Sequence, residues 1–538
     1  MYKKKTFFLN DDSCCKKISL KLTVKLWAPI YPPIFTVPAI ALATAGLHKN
    51  RGPCSIRMGQ SNGAKKAMGK SMSMRFDEQF IRETLSDVSI LAASWPKDVH
   101  FSIDTRTLKP GDIFVAIAGA KIDGHTYIDE ALKKGATGLL IAQSKEDAIK
   151  KIDAKKRASL VIVAVPDPLQ ALIQLAMAWR TKFKEPVIAI TGSVGKTSTK
   201  EMLSNILTLN GNTFLASEGN QNTKLGVSLN ILKLRPEHQM AIFEVGINKR
   251  GEMAEISRIL KPTTAIITSI GHCHMEGLGS LGDIALEKRD IFKHFTETSI
   301  GIVNGDQPVI ASVSYTHPVI KFGAKTINQI QARKIRVGST SVSCVIKIYR
   351  EKHTVVLPKP HTGIVFNALA AAGAAHLLGI SNKVIIQAIA QPLEVPGRFE
   401  QKKLSTFKGV MINDCYNANP ESMKAALLAF QHIETDAQKI AVLGDMLELG
   451  VNSPFWHRQL GRFLRKVSSL STVILVGDMV KWTKKTAPVG LTVEIVPTWA
   501  AAVAALENKL KDESVVLVKG SNGVGLRNLV DAFTEKQK

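Results

Sequence analysis

A chain of 538 residues with 45% hydrophobic and 22% charged residues has apolar mass for two to four cored domains, which excludes a disordered or fibrous protein. The formal charge of +26 is unevenly placed: residues 1–75 hold 14 Lys/Arg against Asp11 and Asp12, and the remainder keeps a surplus of +14. That surplus suits polyanionic small molecules such as nucleotides, and with no arginine-rich run interleaved with aromatics it does not call for nucleic acid. Six cysteines, at 14, 15, 54, 273, 344 and 415, form no Cys-x-x-Cys pair, so reduced packing thiols are expected in a cytosol-like compartment.

Residues 1–75 are basic, acid-poor and broken by prolines between Trp27 and Pro38. The apolar stretch 34–47 is too short and too proline-marked to span a membrane. This composition suits an organelle transit peptide, a non-homologous leader, or a start placed too far upstream, since Met58, Met68, Met72 and Met74 all follow. No membrane-spanning segment is expected further along.

Residues 76–180 read as a small α/β unit, with strand-like runs around the Pro110-Gly111 turn, a helix over Tyr127–Lys134 and a strand over Gly138–Ile141. Before the turn, Asp104-Thr105-Arg106 offers a diphosphate or carboxylate contact, or forms an ordinary turn. Residues 181–392 alternate strands and helices as a doubly wound sheet does, with apolar runs at 187–190, 241–243, 265–267 and 300–303. Residues 393–538 repeat a strand–glycine loop pattern at Leu443-Gly-Asp445, Val476-Gly-Asp478 and Val518-Lys-Gly520, as a Rossmann-like domain would.

The stretch Val187-Ile-Ala-Ile-Thr-Gly-Ser-Val-Gly-Lys-Thr-Ser198 carries the chemistry. A buried β-branched strand, a glycine turn (Gly192, Ser193, Val194, Gly195) and a helix opening at Lys196, Thr197 and Ser198 form a phosphate cradle: backbone N–H groups face the anion and the helix end adds positive charge. A lysine there reaches terminal phosphates and a Thr hydroxyl can ligate Mg²⁺. Met202, Leu203, Ile206 and Leu207 follow at helical spacing, with Gly211 as the stop. Ile190 stands where the general eight-residue loop has its first glycine, so the loop alone also fits a plain glycine turn.

Further motifs follow in order: Asn220 to Asn230, Phe243-Glu-Val-Gly-Ile-Asn248, His274-Met-Glu-Gly-Leu-Gly-Ser280, Glu287-Lys-Arg-Asp-Ile-Phe292, Val395-Pro-Gly-Arg-Phe399, Asp414-Cys-Tyr-Asn-Ala-Asn-Pro420 and Gly444-Asp-Met-Leu-Glu-Leu-Gly450. Together with the loop they resemble the Mur ligase superfamily over residues 98–530, and the Tyr416–Pro420 and Gly444–Gly450 stretches resemble its dipeptide-adding branch. The resemblance implies an α/β fold of three domains: a UDP-substrate domain (76–180) after the extension (1–75), a central P-loop ATPase domain (181–392) with a mostly parallel sheet, and a C-terminal Rossmann-like domain (393–538). It implies ATP-dependent addition of D-alanyl-D-alanine to UDP-N-acetylmuramoyl-tripeptide through an acyl phosphate, for peptidoglycan synthesis, by a cytoplasmic monomer (plastid-stromal if residues 1–75 are a transit peptide).

By the same resemblance Lys196 serves the β/γ-phosphates, Thr197 and Glu244 hold one Mg²⁺, and His274 with a CO₂-carbamylated Lys288 completes a second. Asn304 lies near adenine, Asn367 and Arg398 near the nucleotide, and Asp414 at the ribose. Asn222, Tyr416, Asn417 and Asp445 surround the acceptor and the incoming dipeptide, while Asp104, Thr105 and Arg106 take the UDP end. The sequence departs from the family pattern at His361, shifted by two from the usual His-Asn-x-x-Asn, at Cys415 for Ser, and at Asn522 for Arg. His272 has no assigned partner and reads as structural. Another amide ligase, such as a folylpolyglutamate synthase, is opposed by the Tyr416–Pro420 and Gly444–Gly450 stretches. A non-catalytic nucleotide binder is opposed by Lys196, Thr197, Glu244, His274 and Lys288 occurring together.

Overall fold

Runs of β-branched residues buried on both faces form the centre of three sheets in the computed structural model, which describes residues 74–92, 95–119 and 122–534. The expectations for segment 1–73, a leader and its apolar stretch, lie outside the described residues. Among the described residues no helix is long and apolar enough to cross a membrane.

The first sheet has the order β1-β5-β4-β3-β2, with β1 Ser89–Ala92, β2 Phe101–Ser102, β3 Ile113–Val115, β4 Gly138–Ala142 and β5 Val161–Val165. Only β1 runs antiparallel, against β5. The helix expected over Tyr127–Lys134 is split into a 3₁₀ turn, Gly124–Tyr127, capped by the Asp123 carboxylate, and an α-helix, Ile128–Lys133. The long helix Pro168–Lys182, started by Asp167 as N-cap and Pro168 in its first turn, leads into the second sheet. It is pinned there by two buried side chains. Trp179 Nε1 donates to the Leu234 carbonyl at 3.0 Å, and the Arg180 guanidinium donates to the carbonyls of Leu260, Phe183 and Lys261 at 2.7–2.9 Å.

The second sheet comprises β6 Val187–Thr191, β7 Phe214–Ala216, β8 Met240–Glu244, β9 Thr264–Ile267, β10 Ile300–Asn304, β11 Val319–Gly323, β12 Ile330–Val337, β13 Val342–Ile348 and β14 Glu351–Leu357. Its order is β14-β13-β12-β11-β10-β9-β6-β8-β7. The strands from β7 to β12 pair in parallel, as the sequence pattern implies. An antiparallel meander, β12–β14, extends one side. The burial of β13, alternating residue by residue, is that of a strand with one covered face. β6 is buried throughout and lies between β9 and β8, so the connections leaving its carboxyl end diverge and open a crevice.

The third sheet has the order β15-β16-β20-β17-β18-β19, from β15 Glu400–Lys403, β16 Val410–Asn413, β17 Lys439–Gly444, β18 Thr472–Val476, β19 Thr492–Val496 and β20 Val515–Lys519. All pairs are parallel except β15 with β16. The carboxyl ends of β16 and β20 meet the crevice beyond β6, through Asp414 and Lys519.

Candidate active site at the phosphate loop

The loop after β6 is held open by the segment after β9. Thr268 Oγ1 donates to the Val194 carbonyl at 2.6 Å, Ser269 Oγ donates to the same oxygen at 3.0 Å, and the Ser193 N–H donates to the Ser269 carbonyl at 2.8 Å. Ser193 Oγ donates to the Gly271 carbonyl and accepts from its N–H. Two glycines are required. Gly192 has φ +148 and Gly195 φ +92, and a Cβ would lie 2.0 Å from Thr268 Oγ1 at the first and 2.4 Å from Asn367 Oδ1 at the second. Gly195 starts the helix Lys196–Leu209, whose first backbone bond runs from the Thr199 N–H to Gly195. The N–H groups of Lys196, Thr197 and Ser198 therefore have no acceptor within the helix and are free for an anion. Lys196 Nζ folds back on the Gly192 carbonyl at 2.9 Å.

Two cavities meet at this loop and share Val194, Gly195, Arg398 and Ser422. One, of about 140 Å³, is lined by Ser193, Lys196, Asn222, Glu244, His274, Tyr416 and Asn417 among others. Glu244, at the end of β8, is 2% exposed; its Oε1 accepts from Asn222 Nδ2 at 2.9 Å, while Oε2 has no hydrogen-bond partner. The Arg398 guanidinium lies 4.1 Å over the Tyr416 ring and donates to Thr197 Oγ1 at 3.4 Å. Burial, with the Glu244 carboxylate nearby, holds the Tyr416 phenol above its usual range.

The other cavity, of about 130 Å³, is lined by Ser198, His361, Asn367, Phe399, Asp414 and Lys519 among others. Asp414 accepts from the Phe399 N–H at 3.1 Å and pairs with the buried Lys519 ammonium at 2.8 Å. Asn367 Oδ1 accepts from Thr199 Oγ1 at 3.4 Å. Burial takes the His361 imidazole down to about 4. Lys359, Lys519 and the Thr268-Ser269 pair escaped the sequence reading as site residues. Of these, Lys519 and the Thr268-Ser269 pair carried a signal, each standing at a strand end; Lys359 carried none.

The structure does not gather every predicted residue here. Asn304 ends β10 but lines neither cavity; it is 6% exposed, donates to the Thr268 carbonyl at 3.4 Å and accepts from the Asp306 N–H. Asp445 is also turned away: its carboxylate accepts the N–H groups of Asp478, Met479 and Val480, so it fastens a loop. Asp104, Thr105 and Arg106 line a separate cavity of about 540 Å³. There Arg106 pairs with Asp104 at 2.6 Å and holds its carboxyl down at about 2. Leu225 joins that cavity, three residues after Asn222 on the wall of the loop cavity.

For a metal, the unpartnered Oε2 of Glu244 and the Thr197 hydroxyl are oxygen donors of the kind a hard cation takes. Among the described residues no three His, Cys, Asp or Glu side chains converge as a cage. His274 Nδ1 lies 2.5 Å from Glu448 Oε2, and this contact holds the Glu448 carboxyl below its usual range. Lys288 is 1% exposed; burial brings its ammonium down to about 8.

The sequence matches three family patterns in order: Mur ligase family, catalytic domain, over residues 99–180; Mur ligase middle domain over 190–375; and Mur ligase, glutamate ligase domain, over 397–522. It is 33% identical over 440 residues to the UDP-N-acetylmuramoyl-tripeptide–D-alanyl-D-alanine ligase of Treponema pallidum, covering 80% of this chain and 92% of that one. The fold superposes on MurF from Acinetobacter baumannii with a TM-score of 0.73 at 28% identity, covering 86% of this chain and 99% of that one. With the MurF ligase from Thermotoga maritima in complex with ADP the values are 0.68 and 27%, over 81% and 96%.

Proposed function

The chain belongs to the Mur ligase family, and on that premise we propose that it joins D-alanyl-D-alanine to UDP-N-acetylmuramoyl-tripeptide at the expense of ATP. The product is the UDP-N-acetylmuramoyl-pentapeptide used in peptidoglycan synthesis. The observation that carries the reading is a phosphate loop facing a buried, half-unpartnered carboxylate, Glu244, with Tyr416 and Asn417 of the third sheet's loops on the opposite wall.

The chemistry needs a carboxylate made electrophilic. The γ-phosphoryl group of ATP passes to the tripeptide carboxylate, the dipeptide amine attacks the acyl phosphate, and phosphate leaves. The chain's work is placement and charge neutralisation. The free N–H groups of Lys196 to Ser198 hold the phosphates; Lys196 swings from the Gly192 carbonyl onto the β/γ oxygens, and Arg398 approaches from the far side of Thr197. Asn367 and Asp414 line the nucleotide side, with Lys519 fixing the Asp414 carboxylate. Asn304 stands near adenine in this reading, its amide donating to the Thr268 carbonyl at 3.4 Å. Asn222 orients Glu244, while Tyr416 and Asn417 receive the amine. Asp445 serves this wall as a brace for its loop. The UDP end takes Asp104, Thr105 and Arg106, and the helix Lys224–Ile231 supports one extended substrate running between the two cavities, since Thr223 and Leu225 line one each.

Bound Mg²⁺ would neutralise charge on the phosphates. Thr197 and Glu244 would hold one ion. A second, with His274, requires Lys288 to become an oxygen ligand. Its buried amine, brought down to about 8, has a sizeable neutral share near pH 8 and suits reaction with CO₂ to a carbamate, because only the neutral amine is a nucleophile. A carbonyl resonance from ¹³C-bicarbonate in the wild type, absent in Lys288→Ala, tests this; the same resonance in both refutes it. The reading is of a monomer acting in the cytoplasm, or in a plastid stroma if residues 1–75 are a transit peptide, with no nucleic acid partner.

The deciding experiment is phosphate release from ATP with UDP-muramoyl-tripeptide and D-alanyl-D-alanine, each omitted in turn, using both lysine and diaminopimelate tripeptides. Release that needs both substrates, with a pentapeptide product by mass, establishes the function. ATP binding without turnover on either acceptor overturns it in favour of a binding protein; turnover with a folate and glutamate overturns it in favour of a folylpolyglutamate synthase.

A further inference from the structure

His272, two residues before His274, has no role in the chemistry above, yet its side chain reaches across the molecule. Its Nδ1 lies 2.5 Å from Glu421 Oε1, and its own N–H donates to Glu421 Oε2 at 3.1 Å, so one carboxylate grips one residue at two points. Glu421 sits in the first turn of the helix Pro420–His432, just past the Tyr416–Asn417 wall. The imidazole also packs on Trp456, with ring centroids 4.2 Å apart. Gly271 leaves the room for this approach: a Cβ there would lie 2.9 Å from Glu421 Oε2. The other end of the same segment is tied as well, by the Glu276 N–H donating to the Glu448 carbonyl at 3.3 Å. The segment 271–276 issues from the strand, β9, whose following residues build the phosphate loop.

We propose that His272, held by Glu421 and Trp456, is a positioning residue that fastens the β15–β20 domain over the phosphate loop, so that Tyr416 and Asn417 arrive only when the loop segment is seated. The proposal rests on the ligase reading for its kinetic consequence, but not for its geometry. A single interaction of this kind, charge-assisted yet partly exposed, shifts the balance between open and closed arrangements by about tenfold. If only the closed arrangement accepts the dipeptide, its apparent affinity falls as the closed fraction falls, by up to the same factor.

The test uses the full chain carrying fluorophores at Glu297→Cys and Lys511→Cys, on the central and C-terminal domains, with ADP and Mg²⁺, alongside steady-state kinetics. His272→Ala should lower the closed-to-open ratio about tenfold and raise the KM for D-alanyl-D-alanine in proportion to the lost closed fraction, by up to about tenfold, with kcat within about twofold. His272→Asn, which places an N–H donor near the position of Nδ1, should recover most of the closing, as a purely space-filling role would not. Glu421→Ala should match His272→Ala, and the double variant should be no worse than either. Wild-type closing and KM in His272→Ala, or additive effects in the double variant, overturn the proposal. Loss of the ligase reading would show separately, as a wild-type chain that closes on ADP but does not turn over.

Discussion

Gly195→Ala isolates the geometry of the phosphate loop. The residue has φ +92, where a side chain costs about 1–2 kcal/mol. The new Cβ would lie 2.4 Å from Asn367 Oδ1 and 3.4 Å from its Cγ, so Asn367 must move and give up the bond from Thr199 Oγ1, worth about 1 kcal/mol. The sum, about 2–3 kcal/mol, should lower Tm by roughly 5–10 °C. Because the displaced turn carries the phosphate N–H groups, ATP affinity by calorimetry should fall at least about tenfold. Asn367→Ala removes the obstructing atom. In that background Gly195→Ala should cost only the backbone strain, about 1–2 kcal/mol. An equal cost in both backgrounds, or unchanged ATP affinity in Gly195→Ala, would refute the account of the cradle.

Glu244→Gln retains an oxygen to accept from Asn222 but removes the charge, so kcat should fall on the order of 10²–10³ with the Tm kept; turnover within about threefold of wild type would remove Glu244 from the chemistry. Arg180→Met leaves two buried carbonyls and one partly buried carbonyl without their donor and should cost about 3 kcal/mol in urea unfolding, whereas a loss under about 1 kcal/mol would mean that water replaces the guanidinium. For His361, held near 4 by burial, the unfolded chain takes its proton first. Its contribution is intact above about pH 6.5 and drains as the pH falls toward 4, by about 3 kcal/mol at most. Comparing urea midpoints of wild type and His361→Gln at pH 7.0 and 4.5 should show the wild type losing more; parallel losses would place the imidazole in solvent.

What was legible in the chain and what was not divide along a physical line. The strand Val187–Thr191, the glycine turn and the helix from Lys196 were readable because they depend on local constraints: β-branched residues in a strand, positive φ at glycine, and apolar side chains at helical spacing. The carboxylate at the end of β8 was readable from strand ends alone. The antiparallel meander β12–β14 was not, since its pairing is between residues of different strands and leaves no marked turn in the reading.

The family pattern also told which residues stand near a site, but not which way they face. Asp445 stands in a motif and Asn304 at a strand end, yet hydrogen bonds within their own surroundings take up their polar atoms, and neither lines the two loop cavities. His272 shows the converse. A lone histidine between a glycine and a cysteine has no local signature, and its partner lies 149 positions away. The sequence by itself pointed to the family through its series of motifs, and to the phosphate-binding loop and the parallel strands through short-range sterics and periodicity. Only the tertiary structure decided which carboxylate is left half unpartnered, which lysine is stripped of solvent and which glutamate meets His272. Burial and long-range contact are properties of the packed whole.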